Sequence, residues 1–238
     1  MTTQIMLDEL KTHASFQHKT SSERFLKSGV GEYSQHDIFI GVCMRDIRKI
    51  AKKYYKETRL DEISKILNNQ IHEVRHLGLI LLLNKYTSGQ KEKVFECYLE
   101  NIQAVNNWDL VDTTAPYILG DFIFLHQDKL NILYQYAKSE NLWLKRIAIV
   151  ATFSFIKQSE FKPTITVAKT LLNDKHDLIH KAIGWMLREV YKKNADTAEQ
   201  FLKQNYAQLP RTTLRYAIER MSDHKRQAYL RGDFNVSN

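Results

Sequence analysis

Asn107-Trp108-Asp109-Leu110-Val111-Asp112 sets an indole and a carboxylate four residues apart in a stretch that reads as a helix. That spacing puts both side chains on one helical face. Charged residues recur at equivalent places along the chain, at Arg75, Asp112, Arg146, Lys181 and Arg215, in steps of 37, 34, 35 and 34 residues. Around them stand Val74-Arg75-His76-Leu77-Gly78, Val111-Asp112-Thr113-Thr114-Ala115, Lys145-Arg146-Ile147-Ala148 and His180-Lys181-Ala182-Ile183-Gly184, with small residues suited to close helix packing.

Between these positions lie second apolar-periodic segments, Glu92 to Gln103, Asp128 to Ser139, Lys162 to Leu172 and Thr197 to Gln204. Their three- and four-residue apolar spacing predicts helices. Each repeat is then a helical hairpin, which is too short to bury its apolar stripe alone. Neighbouring hairpins must stack. The expected fold is all-α, an α-solenoid of HEAT-like helical hairpin repeats, curved and with a basic concave face. No segment alternates polar and apolar residues between hairpin turns, so strands are not expected. Breaks are predicted at Ser88-Gly89, Gly120 and Leu209-Pro210. Pro116 cannot donate to the Asp112 carbonyl, which predicts a bend beside that carboxylate.

The 238 residues contain 8 Gly and 3 Pro with no linker-like run, and 43% are hydrophobic, enough for a continuous core. A single repeat domain over 1–238 is expected, clearest from about 36 to 222, with a frayed tail from Arg231 to Asn238. Lys and Arg number 35 against 27 Asp and Glu, a formal charge of +8, which favours polyanionic partners. Arg45, Arg48, Lys49, Lys52, Lys53 and Lys56 crowd one predicted helix. They suit a phosphate-tracking face, although a solvated helix face gives the same pattern.

Cys43 and Cys97 sit among apolar residues without paired spacing and read as buried free thiols. The most apolar run, Leu77 to Leu83, is too short to span a bilayer, and the polar amino terminus points to a cytoplasmic protein without membrane association. The nine histidines read as surface or packing groups. No metal or other cofactor is expected, since neither a ligand cluster nor a glycine-rich phosphate loop is recognisable.

In register, Asp112 and Arg146 take equivalent places on adjacent inner helices, with Trp108 one turn before Asp112 and Trp185 one turn after Lys181. A guanidinium keeps a neighbouring carboxylate ionised. An ionised Asp and two indole faces can stabilise positive charge such as develops on a sugar when its glycosidic bond breaks. A base already cationic by alkylation leaves without protonation, consistent with a single carboxylate. Asp112 paired with Arg146 is also a plausible purely structural lock between repeats. Trp143 reads as a core residue.

The W-D-L-V-D of Trp108 to Asp112, the L-W-L-K-R of Leu142 to Arg146, the K-A-I-G-W-M-L-R-E of Lys181 to Glu189 and the R-T-T-L-R-Y-A-I-E of Arg211 to Glu219 resemble the AlkD-like alkylpurine DNA glycosylases. The resemblance spans about residues 36 to 222. It implies an active site of Trp108, Asp112, Arg146 and Trp185, and excision of cationic lesions such as 3-methyladenine and 7-methylguanine from double-stranded DNA without flipping the base into a pocket. Arg188 resembles a phosphate ligand of that family, and Arg211 and Arg215 fall on the same DNA-facing stripe. The segment Phe39 to Arg48 resembles the family's F-G-V-R-x-P-x-x-R motif with Cys43 and Arg45 in place of its first Arg and its Pro, a departure that bears on backbone contacts there. A monomer is expected. Two other functions fit a basic helical solenoid: a non-catalytic binder of damaged or branched DNA, and a protein-binding scaffold.

Overall fold

The computed structural model describes residues 2–235, and these are helical apart from connecting loops, 3-10 turns and one isolated bridge between Ile38 and Ile71. The fold is all-α, of stacked helical repeats. The chain divides into two compact units, Met1–Thr114 and Ala115–Asn238.

The first unit contains α1 (Thr2–Thr12), α2 (Phe16–Phe25), α3 (Met44–Tyr54), α4 (Leu60–Leu67), α5 (His72–Thr87), α6 (Lys91–Glu100) and α7 (Trp108–Thr114). Helix α5 is its axis, packed against α3, α4, α6 and α7. Every residue from His72 to Leu82 is buried, so the helix has no solvent face along most of its length. Gly78 lets α4 approach, for a Cβ there would stand 2.9 Å from the Leu67 side chain. Gly89, at φ +105°, ends the helix where the sequence places a break.

The loop before α3 is tied down at both sides. The Glu73 carboxylate accepts from the Ile40 and Gly41 N–H groups, the latter at 2.7 Å. Gly41 has φ +81°, and a Cβ would lie 2.1 Å from the Ser15 carbonyl oxygen. Cys43 precedes α3 and donates its thiol to Asp46 at 3.0 Å. It is half-buried rather than buried as the sequence suggests, because this bond holds it at the loop surface; Cys97 is buried, and both are free thiols.

The second unit opens with a π-helical turn, Pro116–Gly120, followed by α8 (Asp121–Leu125), α9 (Asn131–Ala137), α10 (Leu142–Ala151), α11 (Phe153–Lys157) and α12 (Lys162–Thr170). It closes with α13 (Asp177–Lys193), α14 (Ala195–Asn205), α15 (Arg211–Ala217) and α16 (Asp223–Arg231). The disruption expected at Pro116 takes the form of this wide turn, in which the Gly120 N–H reaches back to the Ala115 carbonyl at 2.8 Å. Ser154 donates to the Pro116 carbonyl at 2.5 Å.

Gly120 is not a break. Its backbone is helical (φ −64°, ψ −43°) and runs directly into α8. The residue is small because the end of α10 crosses there: a Cβ would lie 2.1 Å from the Ala151 carbonyl oxygen. The same logic places Gly184 of α13 against α15, where a Cβ would meet the Thr213 carbonyl oxygen at 2.7 Å. Side chains of Asn141 and Asn194 cap α10 and α14 by accepting N–H bonds from their first turns.

Trp143 is half-buried rather than in the core, since it follows the cap at the exposed start of α10. The tail is held further than the sequence suggests, because the Phe234 ring packs edge-on against Tyr206 and Tyr229 at centroid distances of 5.1 and 4.9 Å. The rest of the expected frayed segment, residues 236–238, lies outside the described residues. Gly120→Ala forces a methyl group into the Ala151 backbone and is expected to cost about 1–3 kcal/mol, the range for overpacked sites. Urea denaturation measures it, and an unchanged midpoint contradicts the close approach.

Candidate active site

In the first unit, α7 carries Trp108 and Asp112 one turn apart, both half-buried. Trp108 is positioned by what precedes it. Asn107 is fully buried; its Oδ1 accepts from the Trp108 N–H at 2.7 Å, and its Nδ2 donates to Ser34 Oγ at 2.7 Å. Ser34 in turn donates to the Leu26 carbonyl at 2.6 Å. The indole meets the ring of Phe25 edge-on at 5.2 Å, and Phe25 is itself 68% exposed. An aromatic pair therefore reaches the surface on a rigid, hydrogen-bonded base.

Asp109, inside the same motif, fixes the start of α7. Its Oδ1 accepts from the Leu110 N–H at 2.9 Å, and its Oδ2 accepts from His72 Nε2 at 2.8 Å. His72 faces a second carboxylate through Nδ1, 3.3 Å from Asp37. Arg75 completes the group by donating to Asp37 at 2.7 Å, to Asn106 at 3.0 Å and to the Asn69 and Gln70 carbonyls at 3.0 Å each. The first repeat position is thus a structural arginine.

Burial alone would lower the His72 pKa, but its bonds to Asp109 and Asp37 outweigh burial and raise it to about 9. Both carboxylates are held below their usual range despite burial, by the hydrogen bonds from His72 and the neighbouring cations. His76 behaves oppositely. Burial pushes its pKa down to about 4, so the ring is neutral at pH 7, and its 3.6 Å approach to Asp109 is not an ion pair. Two of the nine histidines, His72 and His76, are buried packing groups on α5, and His72 bridges two carboxylates. The visible signal is the i, i+4 spacing of His72 and His76, which puts both on one side of α5.

In the second unit, Arg146 is buried on α10 and donates through Nη1 to the Leu178 carbonyl at 2.6 Å, tying α10 to the first turn of α13. Beside it Lys145 and Asp174 pair at 2.6 Å. Trp185 is half-buried on α13, with the Phe153 ring 6.3 Å away. Arg188, three residues on, is paired with Glu219 and lies 3.5 Å from Glu189. Arg211 is exposed and donates to the Leu230 carbonyl at 3.0 Å, while Arg215 is exposed on the same helix, α15. On α3, Arg45, Arg48 and Lys49 are exposed; Arg45 is near Asp46 at 3.6 Å. Lys53 is occupied by Glu9 at 2.7 Å.

The His72 clamp carries a pH dependence. A group titrating above its ordinary 6.5 when folded contributes stability that is complete below pH 6.5 and is lost as the pH climbs through about 9. The denaturation midpoint is expected to fall over that interval in the wild type more steeply than in His72→Gln. Parallel pH profiles for the two proteins contradict the clamp.

Among the described residues no helix is long and apolar enough to cross a membrane. No curated protein matches the chain significantly. The solved structure of a predicted DNA alkylation repair enzyme from Enterococcus faecalis is similar, with a TM-score of 0.72 at 18% identity over 89% of this chain and 98% of that chain. The family model for DNA alkylation repair enzymes matches residues 6–221, nearly the whole length. The chain belongs to the DNA alkylation repair enzyme family, which supports a role in DNA repair.

Proposed function

We propose that the protein is a DNA glycosylase that hydrolyses the N-glycosidic bond of cationic alkylated purines, such as 3-methyladenine and 7-methylguanine, in duplex DNA. The observation that carries this reading is the face of α7. It presents an indole and a carboxylate one turn apart, both accessible, on a helix whose start is fixed by buried hydrogen bonds. Family membership supports the substrate class.

Asp112 faces the deoxyribose and stabilises its oxocarbenium-like transition state while orienting water. Trp108 and Trp185 offer aromatic faces to the cationic base or sugar, each contributing about 0.5–2 kcal/mol depending on desolvation. Arg146 holds negative charge in place, its guanidinium oriented by the Leu178 carbonyl. No general acid is required, because an alkylated ring nitrogen already makes the base a leaving group. The base is not flipped into a pocket in this reading, since the carboxylate acts on the sugar side of the glycosidic bond.

Arg45, Arg48, Lys49, Arg211 and Arg215 are exposed and suited to phosphates. Arg188 reaches a phosphate by exchanging its partner Glu219 for the stronger anion. The protein acts as a monomer in this reading, on double-stranded DNA. Release of free base from a duplex carrying one 7-methylguanine tests the reaction. Wild type is expected to release it, and Asp112→Asn to lose at least about a hundredfold in rate, the scale of a lost charge-stabilising group, with DNA binding retained. Full turnover by Asp112→Asn sinks the mechanism; binding without release by the wild type favours a non-catalytic binder of damaged DNA.

A further inference from the structure

The buried group around His72 contains more donors than a helix brace needs. One ring nitrogen from His72, one from His76 and one carboxylate oxygen of Asp109 all lie within 4.8 Å of one another. All three belong to the first unit. We propose that His72, His76 and Asp109 form a binding site for a divalent transition metal ion, with zinc the best match to two imidazoles and a carboxylate.

Four observations support the site. The two histidines stand at i and i+4 on α5, so a rigid helix sets their separation, and Asp109 approaches from α7. Asp109 Oδ2 is 2.8 Å from His72 and 3.6 Å from His76. Ligand atoms around a tetrahedral zinc stand about 3.3 Å apart, given bonds of about 2.0–2.1 Å. The two distances to Asp109 bracket that value, and the two imidazole nitrogens lie within 4.8 Å of each other.

The second observation is the outer partner. Asp37 accepts from His72 Nδ1, so Nε2 can ligate an ion by releasing to solvent the proton it now donates to Asp109, and Arg75 and Asn106 anchor that arrangement. A carboxylate behind a histidine is the usual support of a metal-ligating imidazole. Third, His76 Nδ1 is the nitrogen that faces Asp109, at 3.6 Å, and Nε2 makes no hydrogen bond, so Nε2 can carry the ring proton and leave the Nδ1 lone pair for an ion. Fourth, the Asp109 side chain is 20% exposed, which gives an ion and a water ligand a route in. Arg48 and Arg75 are the nearby cations that oppose binding.

Zinc bound there joins α5 to the first turn of α7 and acts as a structural brace, not as a participant in base release. The test uses the full chain, stripped with chelator and titrated with zinc chloride by calorimetry, with cobalt substitution followed by its visible absorption. One equivalent is expected to bind and to raise the thermal midpoint. His76→Gln and His72→Gln are expected to abolish binding, and Asp37→Asn to weaken it about 10- to 100-fold. X-ray absorption on the zinc-loaded wild type, which depends on no variant folding, is expected to report two imidazoles and oxygen. Failure of the wild type to bind, undiminished binding in the His72→Gln/His76→Gln double variant, or a first shell lacking imidazole overturns the site. Base release from 7-methylguanine DNA by metal-free protein leaves the proposed function untouched whichever way the titration falls.

Discussion

His72 sits between two carboxylates, one before α3 and one at the first turn of α7, and this contact anchors the start of α7. Breaking one side of a buried charged pair generally costs about 3–5 kcal/mol, because the remaining charge is stranded away from water. Asp109 is the hinge of the arrangement, since one oxygen accepts from the Leu110 N–H of its own helix while the other accepts from the His72 imidazole. Trp108 and Asp112 flank it on the same short helix. A seven-residue helix has little stability of its own, so its geometry depends on this anchor and on Asn107 beneath it.

Close backbone approach is the second constraint, and it is met with glycine where helices cross. Gly78, Gly120 and Gly184 each sit in a helical stretch where a methyl group would overlap a neighbour. Gly41 differs, combining a left-handed backbone with contact to Ser15, and it shapes the loop that Glu73 clamps. Cys43 and Arg45 follow it at the start of α3. The thiol donates to Asp46, and Arg45, 88% exposed, lies 3.6 Å from the same carboxylate, so both side chains are placed at the surface without disturbing the loop.

The repeat period made the helices legible, because a 34- to 37-residue recurrence of charged positions flanked by apolar spacing has few other solutions. All five positions fall on helices, α5, α7, α10, α13 and α15. Gly120 misled because glycine marks both a helix end and a tight crossing, and only the neighbour at Ala151 separates the two. Trp143 misled because an aromatic ring beside a cap is shielded on one side only. The His72 group was hidden because its members come from positions 37, 72, 75, 76 and 109, which only the packing of α5 brings together. Trp108 and Asp112 were legible because one helix carries both.

Membership of a DNA alkylation repair family leaves open how a base is released, and the residues of α7 favour a reaction driven by the charge of the leaving group. The proposed site, with one ionised carboxylate and aromatic faces, would have no proton to give a neutral base. The most direct test is single-turnover excision from two duplexes that differ only in the lesion, cationic 7-methylguanine against neutral hypoxanthine. The account predicts release of 7-methylguanine alone; release of hypoxanthine at a comparable rate would contradict it.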